Sequence, residues 1–281
     1  MMKKIIFSVV IPLYNKEKYI KSTISSVLHQ TWPFFEIVII NDGSTDRGVD
    51  IIDEIKDERI RLITQKNSGV SVARNNGIKE AKYDWVAFLD GDDEWDSNFL
   101  ENMAYAIKNT SEFIAYASGY KKFNASGNLF YPKLRYTPRN QGKLINYYKS
   151  CFWGPQILTS SSICINKQIL KNRNLFKLFP KGIKRGEDLD AWTKLNLLDN
   201  VYFINKTLVT INSVADNVSN SMYNIDESFN YPLWLNYKTN SWKKKIFLFV
   251  LVMKREAIIF KKLILKKQFK DIKKLIKRWT N

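Results

Sequence analysis

The chain has 281 residues, enough for one large domain or a domain with an appendage, and 45% of them are hydrophobic, which excludes a disordered polymer. Cys151 and Cys164 are its 2 cysteines, too few for a disulfide framework and in keeping with a reducing compartment. The net charge of +18 is lopsided: residues 240–281 hold 14 Lys/Arg against Glu256 and Asp271, a surplus of +12, so the tail needs an explanation of its own.

In chain order, "MMKKIIFSVVIPLYNKEKYI" opens like a secretory leader but has no small-residue cleavage site and runs through Pro12 into a charged helical pattern. It is read as a first strand, "IIFSVVI" (5–11), followed by a helix carrying Tyr19, Ile20, Ile24, Val27 and Leu28. "EIVII" (36–40) predicts a second strand that ends in "NDGSTD", a turn with Ser44, Thr45 and Asp46 placed to cap a helix at about 47–56. "RIRLIT" (59–64), a loop and helix over 68–81, and "WVAFL" (85–89) continue the alternation. Strands alternating with helices predict βαβ units and a parallel sheet, whose ligands bind beyond the carboxyl ends of the strands. Tyr14–Glu17, Asn41–Asp42 and Asp90–Asp93 all fall at such ends, so three polar clusters converge on one edge. Beyond Phe113 the pattern predicts a hairpin turning near Ser126–Asn128 and a strand at "SSSICIN" (160–166). It continues with a helix over 185–198 opened by acids, two short strands within 201–212, and a polar loop at 213–224. No apolar run approaches the roughly 20 residues of a spanning helix; "IFLFVLVM" (246–253) has eight.

The densest feature is "WVAFLDGDDEW" (85–95), where Asp90, Asp92, Asp93 and Glu94 crowd within five residues of a basic chain. Neighbouring carboxylates raise one another's proton affinity, so solvent or a cation must answer them.

Four segments in order, "VVIPLYNKEKYI", "IVIINDGSTD", "NSGVSVARNNGI" and "FLDGDD", followed by "SSSICINKQIL" and "GEDLDAW", resemble an inverting family 2 glycosyltransferase with the GT-A fold. The resemblance spans about residues 5 to 220. It implies an α/β fold with a mostly parallel, Rossmann-like sheet flanked by helices. It also implies a catalytic domain over 1–225, whose donor half is 1–110 and acceptor half 111–225, with a basic helical extension at 226–281. The activity implied is transfer of a sugar from a nucleoside diphosphate, with Mn²⁺ or Mg²⁺ neutralising the departing diphosphate. By the resemblance Asp92 is the metal ligand, and Asp90 reaches the donor ribose or the metal's waters. Asp42 accepts the uracil N–H, which favours a UDP-sugar, or serves the turn, or does both. Pro12, Leu13 and Tyr14 line the base and ribose, with Glu17 at the same end. Lys66 and Arg74 are positive groups near the nucleotide, and Arg74 equally suits bracing the Asp90 loop. Asp188 is the base that takes the acceptor's proton, with Glu187 beside it, against the plain reading of acids at a helix start. Asp93 and Glu94 are read as turn residues, and "NYYKSCFWGPQ" (146–156) as bordering the acceptor.

Two departures stand out. Gly91 replaces the more usual Ser or Ala, and the loop at 213–224 lacks the histidine that many members carry, which leaves diphosphate and water to complete a metal shell. In the tail, Ile258, Leu265, Phe269, Ile272, Ile276 and Trp279 recur at helical spacing between lysines. The expected partner of residues 243–279 is an anionic membrane surface, with packing on the domain as the alternative and nucleic acid disfavoured. Together these imply an enzyme at the inner face of a bacterial cytoplasmic membrane that acts on a glycan or lipid-linked acceptor. The alternatives are transfer to a polyprenyl phosphate, or a GT-A scaffold that binds without catalysing.

Overall fold

The computed structural model describes residues 4–110, 113–123, 126–173, 175–183, 185–198, 201–212, 225–226, 228, 230–237, 242–265 and 268–279. The loop expected at 213–224 lies outside the described residues. The N-terminal part alternates β1 (Phe7–Leu13), α1 (Ile20–Leu28), β2 (Phe35–Asn41), α2 (Gly48–Asp53), β3 (Ile60–Thr64), α3 (Val70–Glu80) and β4 (Trp85–Phe88), then β5 (Glu94–Trp95) and α4 (Phe99–Thr110). The chain continues with β6 (Ala115–Phe123), β7 (Leu129–Phe130), β8 (Gln141–Lys143), α5 (Tyr147–Trp153), β9 (Ile163–Asn166), α6 (Lys167–Asn172), α7 (Glu187–Leu198) and β10 (Val201–Ile211). Helices α8 (Trp242–Leu265) and α9 (Phe269–Lys277) follow.

All strands join one sheet whose main path runs β3-β2-β1-β4-β9-β6-β10-β5. The first four are parallel, as the alternation predicts, and every residue of β1 and β2 is buried because helices cover both faces. Period-two alternation divides them: Val10, Val38, Ile40 and Phe88 face a core beneath α3, α7 and α8, while Phe7, Val9, Ile11, Ile37 and Ile39 face one beneath α1 and α4. Gly77 lets α3 settle on β1, for a Cβ there would sit 2.2 Å from Val10 Cγ1.

The strands after residue 113 depart from a purely parallel pattern. β9 inserts antiparallel between β4 and β6, and β10 lies parallel to β6 but antiparallel to β5. The expected hairpin forms as β6 pairing β7. The two strands expected within 201–212 are a single strand, because the polar stretch Asn205–Lys206 is absorbed as a register shift against β6 rather than ending the ladder. Ser44 and Thr45 do not cap α2. The Ser44 Oγ accepts from the Asn15 amide (3.2 Å) and the Thr45 amide donates to Asn15 Oδ1 (2.8 Å), so both residues tie two loops together.

The tail is two helices rather than one. α8 buries Leu248, Leu251, Val252, Ile259 and Leu263, and α9 buries Leu275, in the core that also holds Trp192 and Trp234. The expected stripe is therefore not the buried one: Ile258, Leu265, Ile276 and Trp279 are exposed, Ile272 is half-buried, and the side chain of Phe269 lies outside the described residues. Among the described residues no helix is long and apolar enough to cross a membrane.

Candidate active site

Three loops at the carboxyl ends of β1, β2 and β4 form one edge, and the start of α7 meets them. Asp42 follows β2 and is buried; its amide donates to Leu13 O (2.8 Å). Its carboxylate accepts from Gln65 Nε2 (2.7 Å), the Ser68 amide (2.8 Å) and the Gly69 amide (2.8 Å). It thus closes the 65–69 loop, on which Lys66 stands exposed, and three of its roughly four acceptor positions are taken. Pro12 and Leu13 end β1 in the core, whereas Tyr14 projects into solvent. Glu17 faces the neighbouring loop, its Oε2 accepting from the Arg47 amide (3.0 Å).

The acidic cluster is answered by basic and hydroxyl side chains. Arg74, on α3 and 5% exposed, places Nη2 2.7 Å from Asp90 Oδ1 and Nη1 3.3 Å from Glu187 Oε1. Burial opposes its charge, but the two carboxylates outweigh that and hold the guanidinium more firmly protonated than usual. Lys16, from the loop after β1, places Nζ 2.7 Å from Asp92 Oδ2. Burial raises the Asp92 pKa against the pull of Lys16, and Asp90 adds to the rise. Asp93 is not a plain turn residue. It is buried, accepting from Ser161 Oγ (2.6 Å) and the Asn212 amide (2.9 Å), so it stitches β4 to the start of β9 and the end of β10. Burial, then the charges of Asp92 and Asp90, push its pKa well up. Glu94 is exposed in β5.

At the start of α7, Asp188 accepts from Gln156 Nε2 (2.8 Å) and from the Leu189 amide (2.6 Å). Glu187 is raised to about 7, first by burial and then by Asp188, with Arg74 pulling the other way. Asp190 turns inward to Trp234 Nε1 (3.0 Å), Tyr237 Oη (2.7 Å) and Lys194 (2.6 Å), so the third acid of the turn is an anchor.

The structure therefore unites Asp90, Arg74 and Glu187 directly and sets Asp92 and Asp188 on either side. Arg74 does brace the Asp90 loop. Lys16, Gln156, Ser161 and Gln65 hold the candidate carboxylates and are the contacts that sequence reasoning missed. Gln156 falls in the 146–156 stretch expected beside the acceptor, but its aim at Asp188 needed the fold. Among the described residues no three His, Cys, Asp or Glu side chains group closely enough to hold an ion alone. The hard-oxygen pair Asp90 and Asp92 nonetheless fits Mg²⁺ or Mn²⁺, which take one or two carboxylates and complete their shell with phosphate and water.

The family model described as glycosyl transferase family 2 matches residues 8–172, more than half of the chain. The chain belongs to glycosyl transferase family 2. This family 2 chain is 30% identical over 226 residues to the putative teichuronic acid biosynthesis glycosyltransferase TuaG of Bacillus subtilis, covering 78% of the chain and 84% of the relative. An uncharacterized glycosyltransferase of Rickettsia felis is 34% identical over 208 residues, or 72% of the chain and 32% of that protein. A Rickettsia bellii relative is likewise spanned over 29% of its length, so the chain covers about a third of these longer proteins. Among solved structures, Staphylococcus aureus TarS residues 1–349 in complex with UDP-GlcNAc superposes with a TM-score of 0.71 at 22% identity, covering 87% of this chain and 70% of that one. The shared architecture is the GT-A fold.

Proposed function

We propose that the chain is a metal-dependent inverting glycosyltransferase that moves a sugar from a UDP-sugar to a hydroxyl of a glycan or lipid-linked acceptor. The observation that carries this is the Arg74 bridge, which brings the Asp-x-Asp end of β4 and the acidic start of α7 into one site. A UDP donor is supported by TarS, whose structures hold UDP-GlcNAc and UDP. A role in bacterial surface-polysaccharide synthesis is supported by the description of TuaG.

In this reading Pro12, Leu13, Tyr14 and Asp42 receive the base and ribose, with Glu17 and Lys66 at the margin. Asp92 and Asp90 would hold the divalent ion, which when bound neutralises charge on the leaving diphosphate. Asp188 takes the proton of the acceptor hydroxyl as that oxygen attacks the anomeric carbon, and the bond to the diphosphate breaks with its electron pair. Gln156 and the Leu189 amide fix the carboxylate, and both act as donors to it. Glu187, raised to about 7, carries a proton much of the time near neutrality and can donate it to an acceptor oxygen without doubling the charge beside Asp188.

The test is D188N, which should lower sugar transfer by about 10²–10⁴-fold while UDP affinity stays at the wild-type value. Near-normal turnover would remove Asp188 as base and favour an already ionised polyprenyl phosphate acceptor.

Attachment at the inner face of the cytoplasmic membrane is part of the proposal. Its support is the outer face of α8, where Trp242, Ile246, Phe249, Met253, Phe260 and Ile264 are exposed at spacings of one or two helical turns among lysines. Such a face suits an anionic bilayer surface.

A further inference from the structure

Asp92, the carboxylate assigned above to the metal, is already held by a cation. Lys16 Nζ lies 2.7 Å from its Oδ2, and the two side chains are only 18% and 8% exposed. The lysine is aimed by a fastened loop. Asn15 turns the chain at a φ of 51°, its amide donates to Ser44 Oγ and its Oδ1 accepts from the Thr45 amide. One residue past the lysine, the Glu17 amide donates to Asp46 Oδ2 (2.8 Å). Both flanks of Lys16 are therefore tied to the loop after β2 that also carries Asp42. Opposite, Gly91 packs beside the stem: a Cβ there would make an ordinary contact with Lys16 Cγ (3.6 Å) and a tight one with Pro12 O (3.2 Å).

An ammonium on one oxygen of a nearly buried carboxylate lowers that group's affinity for a divalent ion, because like charges repel strongly where water is excluded. We propose that Lys16 is a built-in counter-cation that keeps Asp92 closed to metal until a nucleoside diphosphate arrives, then turns to the diphosphate, so that metal and nucleotide load as a unit. This rests on the donor-site reading above. The diphosphate supplies negative charge for the lysine and the metal at once. A lysine suits the exchange, having a flexible stem and a point charge where arginine has a fixed fork. Linkage then requires each ligand to strengthen the other. The same pairing answers the crowding of the acids: Arg74 and Lys16 set positive charge against Asp90 and Asp92.

The experiment is Mn²⁺ binding to the full chain, read from the paramagnetic resonance signal of free Mn²⁺, with and without UDP. Wild type should bind Mn²⁺ weakly alone and about 5- to 150-fold more tightly with UDP. K16M should bind Mn²⁺ alone roughly tenfold or more tighter than wild type and lose most of the UDP enhancement, on the same scale of coupling. K16M/D92N should lose that gain. A variant that needs no lysine substitution gives an independent check: D92N weakens the hold on Lys16 at this site, so its metal-free UDP affinity should rise by about fivefold or more. Equal Mn²⁺ affinities in wild type and K16M, with UDP still bound, overturn the gate and leave the donor site standing. A metal-free UDP affinity in D92N at or below wild type also overturns it. Wild type that binds no UDP under any metal condition overturns the donor reading and the gate together.

Discussion

Replacing Glu187 by Gln tests the electrostatics of the site without removing its shape. The Glu187 carboxyl sits at the start of α7, 12% exposed, with Arg74 Nη1 at 3.3 Å and Asp188 next in the chain. Burial and Asp188 raise its pKa from an ordinary 4.5 to about 7. At 1.36 kcal/mol per pH unit that difference amounts to ~3 kcal/mol. A raised value in an acid means that the folded state holds the proton more tightly than the unfolded state. The contribution to stability is therefore full below 4.5, declines as pH rises, and is gone above about 7. Glutamine carries no such proton in either state. The stability of wild type minus that of E187Q should fall by ~3 kcal/mol between pH 4.5 and 8, since most other titrations cancel in the difference. Urea unfolding followed by tryptophan fluorescence at four or five pH values measures it. A difference that stays flat across that range refutes the burial argument for Glu187 and with it the division of charge between Glu187 and Asp188.

Other outcomes follow from the same geometry. Q156A should lower turnover by up to ~10²-fold with donor KM unchanged, because Asp188 loses its orienting donor; equal turnover in steady-state assays would show that the contact is incidental. G77A should destabilise the fold by about 1–3 kcal/mol, since its Cβ meets Val10, and V10A in the same chain should recover part of the loss in thermal melts. F249D/F260D, on the outer face of α8, should abolish co-sedimentation with anionic liposomes while leaving the melting temperature unchanged; binding that persists would place the lipid contact elsewhere.

Much of the donor half was legible because its information is local. Uniformly apolar runs mark strands buried on both faces, the polar residues that end them mark one edge, and the alternation implies parallel order. The placement of Asp42, Asp90 and Asp92 at one edge, and of Asp188 at a helix start, followed from local segments. What failed was set by partners far along the chain. Nothing near Lys16 distinguishes it from Lys18 or Lys21 until the loop after β2 fastens Asn15 and Glu17 around it. Asp93 looks like any turn aspartate until Ser161 and Asn212, 68 and 119 residues away, are brought to it. Asn205–Lys206 looks like a turn because the shift that absorbs it depends on the neighbouring strand. In the tail, lysines on every side disguised which apolar row faces inward, and the core beneath α8 chose Leu248, Leu251 and Leu263.

The way β10 reaches back has a consequence for building chimeras. Its last residues pair with β5, which begins at Glu94, the last acid of the cluster, and the Asn212 amide donates to Asp93 from the same place. Asn75 likewise exchanges two hydrogen bonds with the backbone of Phe179. A crossover at residue 110, just after α4, would separate all of these pairs together with the Arg74–Glu187 contact.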